Sequence, residues 1–245
     1  MRKEWLFALG GMLSAGVGGS GGKGNIQNRV VRVGANDFDY QIYTPTKVQK
    51  NLPIIIFLHG IGQRGTGGFV PTEGMIGGVV LHYFSQIPPA IVLLPQCRPG
   101  VYWSDPVMEE MTIRALDQTI DEFSADNSRI YLSGVSMGGY GVWSFVVAYP
   151  EKFAGLVSIC GGSPILSGDR FTPIAEKVGK TPAWLFHGAD DRVVPASESR
   201  YIVEALKKRE GNVKYNEYPR VGHEVWLNVL SEKELMPWLL AQKRA

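Results

Sequence analysis

Two periodicities alternate along the chain. In its first fifth, "RVVRV" and "YQIYTP" read as short β segments, the second ended by Pro45. The runs "LPIIIFLHG" (52–60) and "AIVLLPQ" (90–96) are almost continuously apolar and rich in β-branched residues, as strands buried on both faces require. "RIYLSGVS" (129–136), "FAGLVSICGG" (153–162) and "PAWLFHGADD" (182–191) continue in the same style, and "VKYNEYP" (213–219) completes the set. Between them the period lengthens. Met108, Met111, Ile113, Leu116 and Ile120 predict a helix over 106–123, with Ser104 or Asp105 as its cap and Pro106 in the first turn, where a missing N–H costs nothing. Tyr201, Ile202, Ala205 and Leu206 predict a helix over 198–209 that stops before Gly211. A last helix over 227–243 is expected to bend or divide at Pro237. Strands alternating with helices predict a mostly parallel sheet covered on both sides, in a single domain without internal repeats.

Composition narrows the picture. A chain of 245 residues with 44% hydrophobic content is long enough for one sizeable core. Its 25 basic and 23 acidic residues leave a formal net charge of +2 and form no block, so neither a nucleic-acid stripe nor an acidic tail is present. A small molecule or a neutral polymer is the expected partner. Cys97 and Cys160 form no CxxC pair and no zinc-type cluster, and no metal or cofactor is expected. The amino terminus has a basic start, a moderately apolar stretch from Trp5 to about Val17 and a Gly-rich tail. It resembles a signal peptide and linker over residues 1–24, although no A-x-A site is present. The expectation is an exported, secreted or periplasmic protein whose folded domain spans 25–245; a tail on a cytoplasmic protein is the alternative. A membrane span needs ~20 apolar residues, which no stretch supplies.

One junction carries chemistry. "IYLSGVSMGGYGVW" (130–143) sets Ser136 between Gly134 and Gly138, after a strand and before a helical run. A sharp strand-to-helix turn at the carboxyl edge of a parallel sheet projects its central residue and leaves no room for bulky neighbours. Ser136 is then displayed as a nucleophile over the N–H groups of a helix start. A serine hydroxyl needs a base, and the base needs an acid to hold its tautomer. In the chain order that such elbows follow, the histidine comes last, which excludes His59 and His82. His187 would have only Asp169 as an acid between itself and the nucleophile. His223, in "RVGHEVW" after the last strand, is preceded by two aspartates at the end of "AWLFHGADD". It is the expected base. Periodicity leaves Asp190 and Asp191 both open as the acid.

The motifs "LHGIGQRG", "PQCRPGVYW", "GVSMGGYG", "SICGG", "HGADDRVVP" and "GHEVW" together resemble those of the α/β-hydrolase serine esterases. They are most similar to the compact group of feruloyl and other carbohydrate-type esterases and "predicted peptidases". The resemblance covers roughly residues 30 to 240. It implies the α/β-hydrolase fold, with helices on both faces of a mostly parallel sheet. It assigns the acid to Asp191, although Arg192 stands where the group often has proline. The oxyanion hole it implies is formed by the backbone N–H groups of Ile61 and Met137, with His59 bracing the loop. It also implies two strands between those ending at Gln96 and Cys160, roughly 14 Å, too far for a disulfide with its ~7 Å limit. Dienelactone hydrolases carry cysteine at the nucleophile, and acyl-protein thioesterases usually carry glutamine at the position of Met137; both details point away from those groups.

About 20 residues separate Gly162 from the next strand, too few for a large cap domain, so an open cleft is expected. Its walls are assigned to 63–74, 97–106 and 163–171. Trp103, Tyr102 and Trp226 are candidate ligand platforms, with Gln96 and Gln63 as polar contacts. The expected reaction is acyl-enzyme hydrolysis of short-chain or hydroxycinnamoyl esters, small or polysaccharide-linked. A serine peptidase of the same fold, or a non-catalytic binding domain, are the alternatives.

Overall fold

The computed structural model describes residues 24–66 and 89–244. The leader-like segment and the wall residues 67–74 lie outside the described residues. Among the described residues eight strands form one sheet: β1 (Asn25–Val33), β2 (Asn36–Thr44), β3 (Ile54–Leu58), β4 (Ile91–Pro95), β5 (Ile130–Val135), β6 (Gly155–Ile159), β7 (Ala183–Gly188) and β8 (Val213–Tyr218). Their spatial order is β1-β2-β4-β3-β5-β6-β7-β8. β1 and β2 are an antiparallel hairpin closed by a two-residue turn with Gly34 at φ 58°, a conformation glycine adopts without steric cost. β2 runs antiparallel to β4, and from β4 onward every pairing is parallel.

The apolar runs divide their side chains between two cores. Ile54, Ile56 and Leu58 of β3 face one layer, and Ile55 and Phe57 the other. The first layer is covered by α1 (Pro106–Phe123), α2 (Met137–Ala148), α3 (Thr172–Val178) and α4 (Ser197–Lys208). The second is covered, among the described residues, by α5 (Trp226–Val229) and α6 (Leu235–Leu240). Asp105 caps α1, its carboxylate accepting from the Val107 N–H at 3.1 Å. The single helix expected over 227–243 is two short ones. The break falls at 230–234, and Pro237 sits in the first turn of α6, where its missing N–H has no intrahelical acceptor to lose. The short α3 has no counterpart in the sequence reading.

β3 and β5 lie between β4 and β6, as the resemblance implied, and Cys97 and Cys160 are free and buried. Between β6 and β7 the chain holds one seven-residue helix and loop, with no cap domain. Among the described residues no helix is long and apolar enough to cross a membrane.

Candidate active site

The carboxyl ends of β3, β5, β6, β7 and β8 converge on one place. Ser136 follows β5 with φ 55° and ψ −116°, a strained conformation for a residue with a Cβ. Its N–H donates to Ile159 O at 2.8 Å and its carbonyl accepts from Tyr140 N at 3.1 Å, so neighbouring strand and following helix both hold the turn. The glycines are there for close approach. A methyl at Gly138 would run into the Leu58 carbonyl, and one at Gly134 into the backbone of Gly138. Gly139 and Gly161 oppose each other in the same way, a methyl on Gly139 falling 2.8 Å from the Gly161 Cα.

His223 stands between Ser136 and Asp191. Its Nε2 lies 2.8 Å from Ser136 Oγ and its Nδ1 2.7 Å from Asp191 Oδ2. The carboxylate is an acceptor only, so Nδ1 carries the proton and Nε2 is left to accept from the serine. Asp191 Oδ1 accepts from the N–H groups of Val193 at 2.8 Å and Val194 at 2.9 Å. Burial works against the charge on Asp191, but the hydrogen bonds from His223, Val194 and Val193 outweigh it and hold the carboxyl below its usual range. Asp190 is exposed. Of the two aspartates left open by strand alternation, the structure brings Asp191 to the imidazole.

The loop after β3 approaches the elbow from the other side: a methyl at Gly60 would lie 3.8 Å from Ser136 Cβ. His59 ties this loop to the one after β4. Cys97 N–H donates to its Nε2 at 3.0 Å, so Nδ1–H donates to the Gly60 carbonyl at 2.7 Å. Burial pushes its pKa down to about 4, keeping the ring neutral. Ile61 opens a short 3₁₀ turn, Ile61–Gln63, and Met137 is the first residue of α2, where an N–H has no intrahelical acceptor.

Two expected ligand contacts are corrected. Trp103 is 1% exposed; its indole N–H donates to His59 O at 2.9 Å and its ring packs edge-on against the His59 imidazole. Gln96 is 2% exposed and donates its amide to the Gln63 carbonyl. Both brace the loops beneath the site, because an indole N–H or an amide buried in this layer must find a partner there. Gln63 is buried too. Neighbouring Tyr102 faces outward at 56% exposure. Trp226 is partly buried with its ring edge on His223, centroids 5.8 Å apart.

Three features of the site were not predicted from the sequence. Cys160, at φ 41°, lies beneath the relay, and its sulfur, one carboxylate oxygen of Asp191 and one imidazole nitrogen of His223 lie within 4.8 Å of one another. Burial pushes the thiol pKa far up, and Asp191 and His223 already bond each other, so the trio is poorly suited to a metal. Glu198 at the start of α4 clamps the loop after β6: it accepts from Ser163 N–H at 3.0 Å and from both ends of the Arg170 guanidinium at 2.8 Å. His187, weighed only as an alternative base, is wholly buried against Asp191. The "HG" before "ADD" was the available signal.

A mostly parallel sheet with a strained serine at its edge, backed by an imidazole and a carboxylate, defines an α/β hydrolase of the serine type. The profile of the family described as Phospholipase/Carboxylesterase matches residues 106–233, more than half of the chain. The chain belongs to that family, and it is a carboxylic ester hydrolase. It is 26% identical over 202 residues to carboxylesterase SOBER1 of Arabidopsis thaliana, covering 74% of this chain and 85% of that protein. It is also 26% identical over 216 residues to acyl-protein thioesterase 1 of Neurospora crassa, covering 76% and 86%. The likeness thus extends to a group from which the residue at Met137 pointed away. A solved thermostable esterase superposes with a TM-score of 0.73 at 30% identity, covering 89% of this chain; this chain spans 63% of that structure.

Proposed function

We propose that the protein is a serine carboxylesterase acting on short-chain or hydroxycinnamoyl esters, free or attached to polysaccharide. Ser136, His223 and Asp191 are its catalytic residues. The observation that carries this reading is the continuous relay, 2.8 Å from Ser136 Oγ to His223 Nε2 and 2.7 Å from His223 Nδ1 to Asp191 Oδ2. His223 takes the serine proton as Oγ attacks the ester carbonyl, while the N–H groups of Ile61 and Met137 receive the oxyanion. His223 then protonates the leaving alcohol, and water repeats the two steps to free the acid. Of the aromatic residues expected at the cleft, Trp226, in edge contact with His223, and exposed Tyr102 remain available to an acyl or sugar group. The proposal includes a single catalytic domain over 25–245 and export through residues 1–24.

The test is a parallel assay of the protein and Ser136→Ala on nitrophenyl esters of increasing acyl length, methyl ferulate, an acyl thioester and a chromogenic peptide. Ester turnover lost in the variant is the expected result. Turnover that survives in Ser136→Ala overturns the relay, and cleavage of the peptide or thioester in preference to every ester overturns the substrate class.

A further inference from the structure

Asp191 has a second imidazole partner. His187 leaves β7 with its side chain 0% exposed and sits between three fixed groups. Its Nε2 lies 2.9 Å from the Val194 carbonyl and 3.3 Å from Asp191 Oδ2, and its Nδ1 lies 2.7 Å from Ser199 Oγ. Carbonyl and carboxylate oxygens only accept, so the ring proton must be on Nε2. Nδ1 then accepts from the Ser199 hydroxyl, which sits in the first turn of α4 and is itself fully buried. Oδ2 of Asp191 thus accepts the hydrogen bond from His223 and also lies 3.3 Å from the His187 Nε2–H, a longer contact that this N–H divides with its closer acceptor, the Val194 carbonyl.

From this sharing we propose that His187, held in its Nε2–H tautomer by Ser199, is a positioning residue of the relay: it orients the Asp191 carboxylate and sets how strongly that carboxylate binds the imidazolium of His223. The proposal rests on the relay described above. Burial, outweighing the bonds to Val194 and Asp191, lowers the pKa of His187 and keeps it a neutral donor. A neutral donor withdraws electron density from Oδ2 without adding a second positive charge beside His223. Val193 and Val194 N–H groups fix the other oxygen, so three hydrogen bonds and the His187 contact together define the carboxylate plane. Other titratable groups facing this pair are Glu217, opposite His187 on β8 and bound to Arg200 of α4, Cys160 near Asp191 with Glu224 beyond it, and Tyr140 of α2, which also interacts with Asp191. All stay in place in the variants below.

His187→Leu removes the donor, and His187→Gln restores an N–H near the same point. In the leucine variant kcat falls by roughly tenfold or more with little change in KM, because the Asp191 carboxylate is no longer oriented toward Nδ1 of His223 and the relay is misaligned. The unrelieved carboxylate then stabilises imidazolium better, so the acid limb of kcat/KM moves up by about half a pH unit. His187→Gln returns both toward wild type. An acid limb unmoved in His187→Leu, or a glutamine variant as impaired as the leucine one, overturns the proposal and leaves His187 a packing residue. Should His187→Leu fail to fold, Ser199→Ala replaces it, with a smaller shift of the limb in the same direction expected and no shift overturning. Nitrogen-15 spectra of histidine-labelled protein read the tautomer directly: protonated Nε2 and bare Nδ1 are expected for His187, and the reverse overturns. Those spectra are also taken on Ser136→Ala, so failure of the relay in the ester assay is separable from failure here.

Discussion

Ser136 is held at φ 55° by hydrogen bonds on both sides, and such a conformation costs on the order of 1–3 kcal/mol that the surrounding packing must supply. Replacing its hydroxyl changes neither the backbone nor the packing. Ser136→Ala is therefore expected to lose about 10³-fold or more in kcat while its denaturant midpoint stays within the error of wild type. The opposite pattern is expected at Gly138. A methyl there meets the backbone of Leu58, which cannot move without shifting β3, so Gly138→Ala should destabilise by about 3 kcal/mol or more, read from urea melts. Asp191→Asn keeps the shape but offers its NH₂ or its carbonyl where a carboxylate fixed the imidazole. A kcat loss of about 10³ to 10⁴ with unchanged folding is expected.

Elements decide how these residues are held. Asp105 at the start of α1 was one of two caps open to sequence reading, and its bond to Val107 N–H selects it. Asp105→Ala should cost about 1 kcal/mol, measured by thermal melts. The break between α5 and α6 was expected at Pro237 and falls before it, where Asn216 on β8 donates to Glu232. Periodicity sees only that a proline interrupts; which side of it unwinds depends on the contacts available to the chain. The short α3 escaped for a similar reason, since Ile174, Ala175 and Val178 are too few to establish a helical period alone. The loop before it is tied to α4 by the Arg170–Glu198 pair.

At the scale of the whole molecule, acid stability follows from its buried histidines. His59, lowered to about 4 by burial, and His187, lowered in the same direction, bind protons more readily in the unfolded chain than in the folded one. The stability they contribute is complete above their unfolded pKa near ~6.5 and is lost as pH falls toward 4. Asp126 and Glu217, held at about 2 chiefly by hydrogen bonds from Ser128 and Arg200, add a second loss as pH falls from about 4 to 2. A melting-temperature profile should therefore decline in two stages, and His59→Gln should flatten the first.

Buried-strand runs, the helices at 106–123 and 198–209 and the serine elbow were legible in the residues because each rests on local rules: alternation, helical spacing, and glycines where backbones touch. The order of motifs carried Ser136 and His223 as well, since chain order in this fold fixes which strand ends can meet. Residue direction within the loops was not legible. Tyr102 and Trp103 are adjacent and equally aromatic, yet one faces solvent and the other bonds His59, because only the packed layer beneath supplies a carbonyl for the indole. The sharing of Asp191 by His187 and His223 was likewise decided in three dimensions. It needs β7, β8 and α4 side by side, an arrangement set by the burial of both sheet faces rather than by any local pattern.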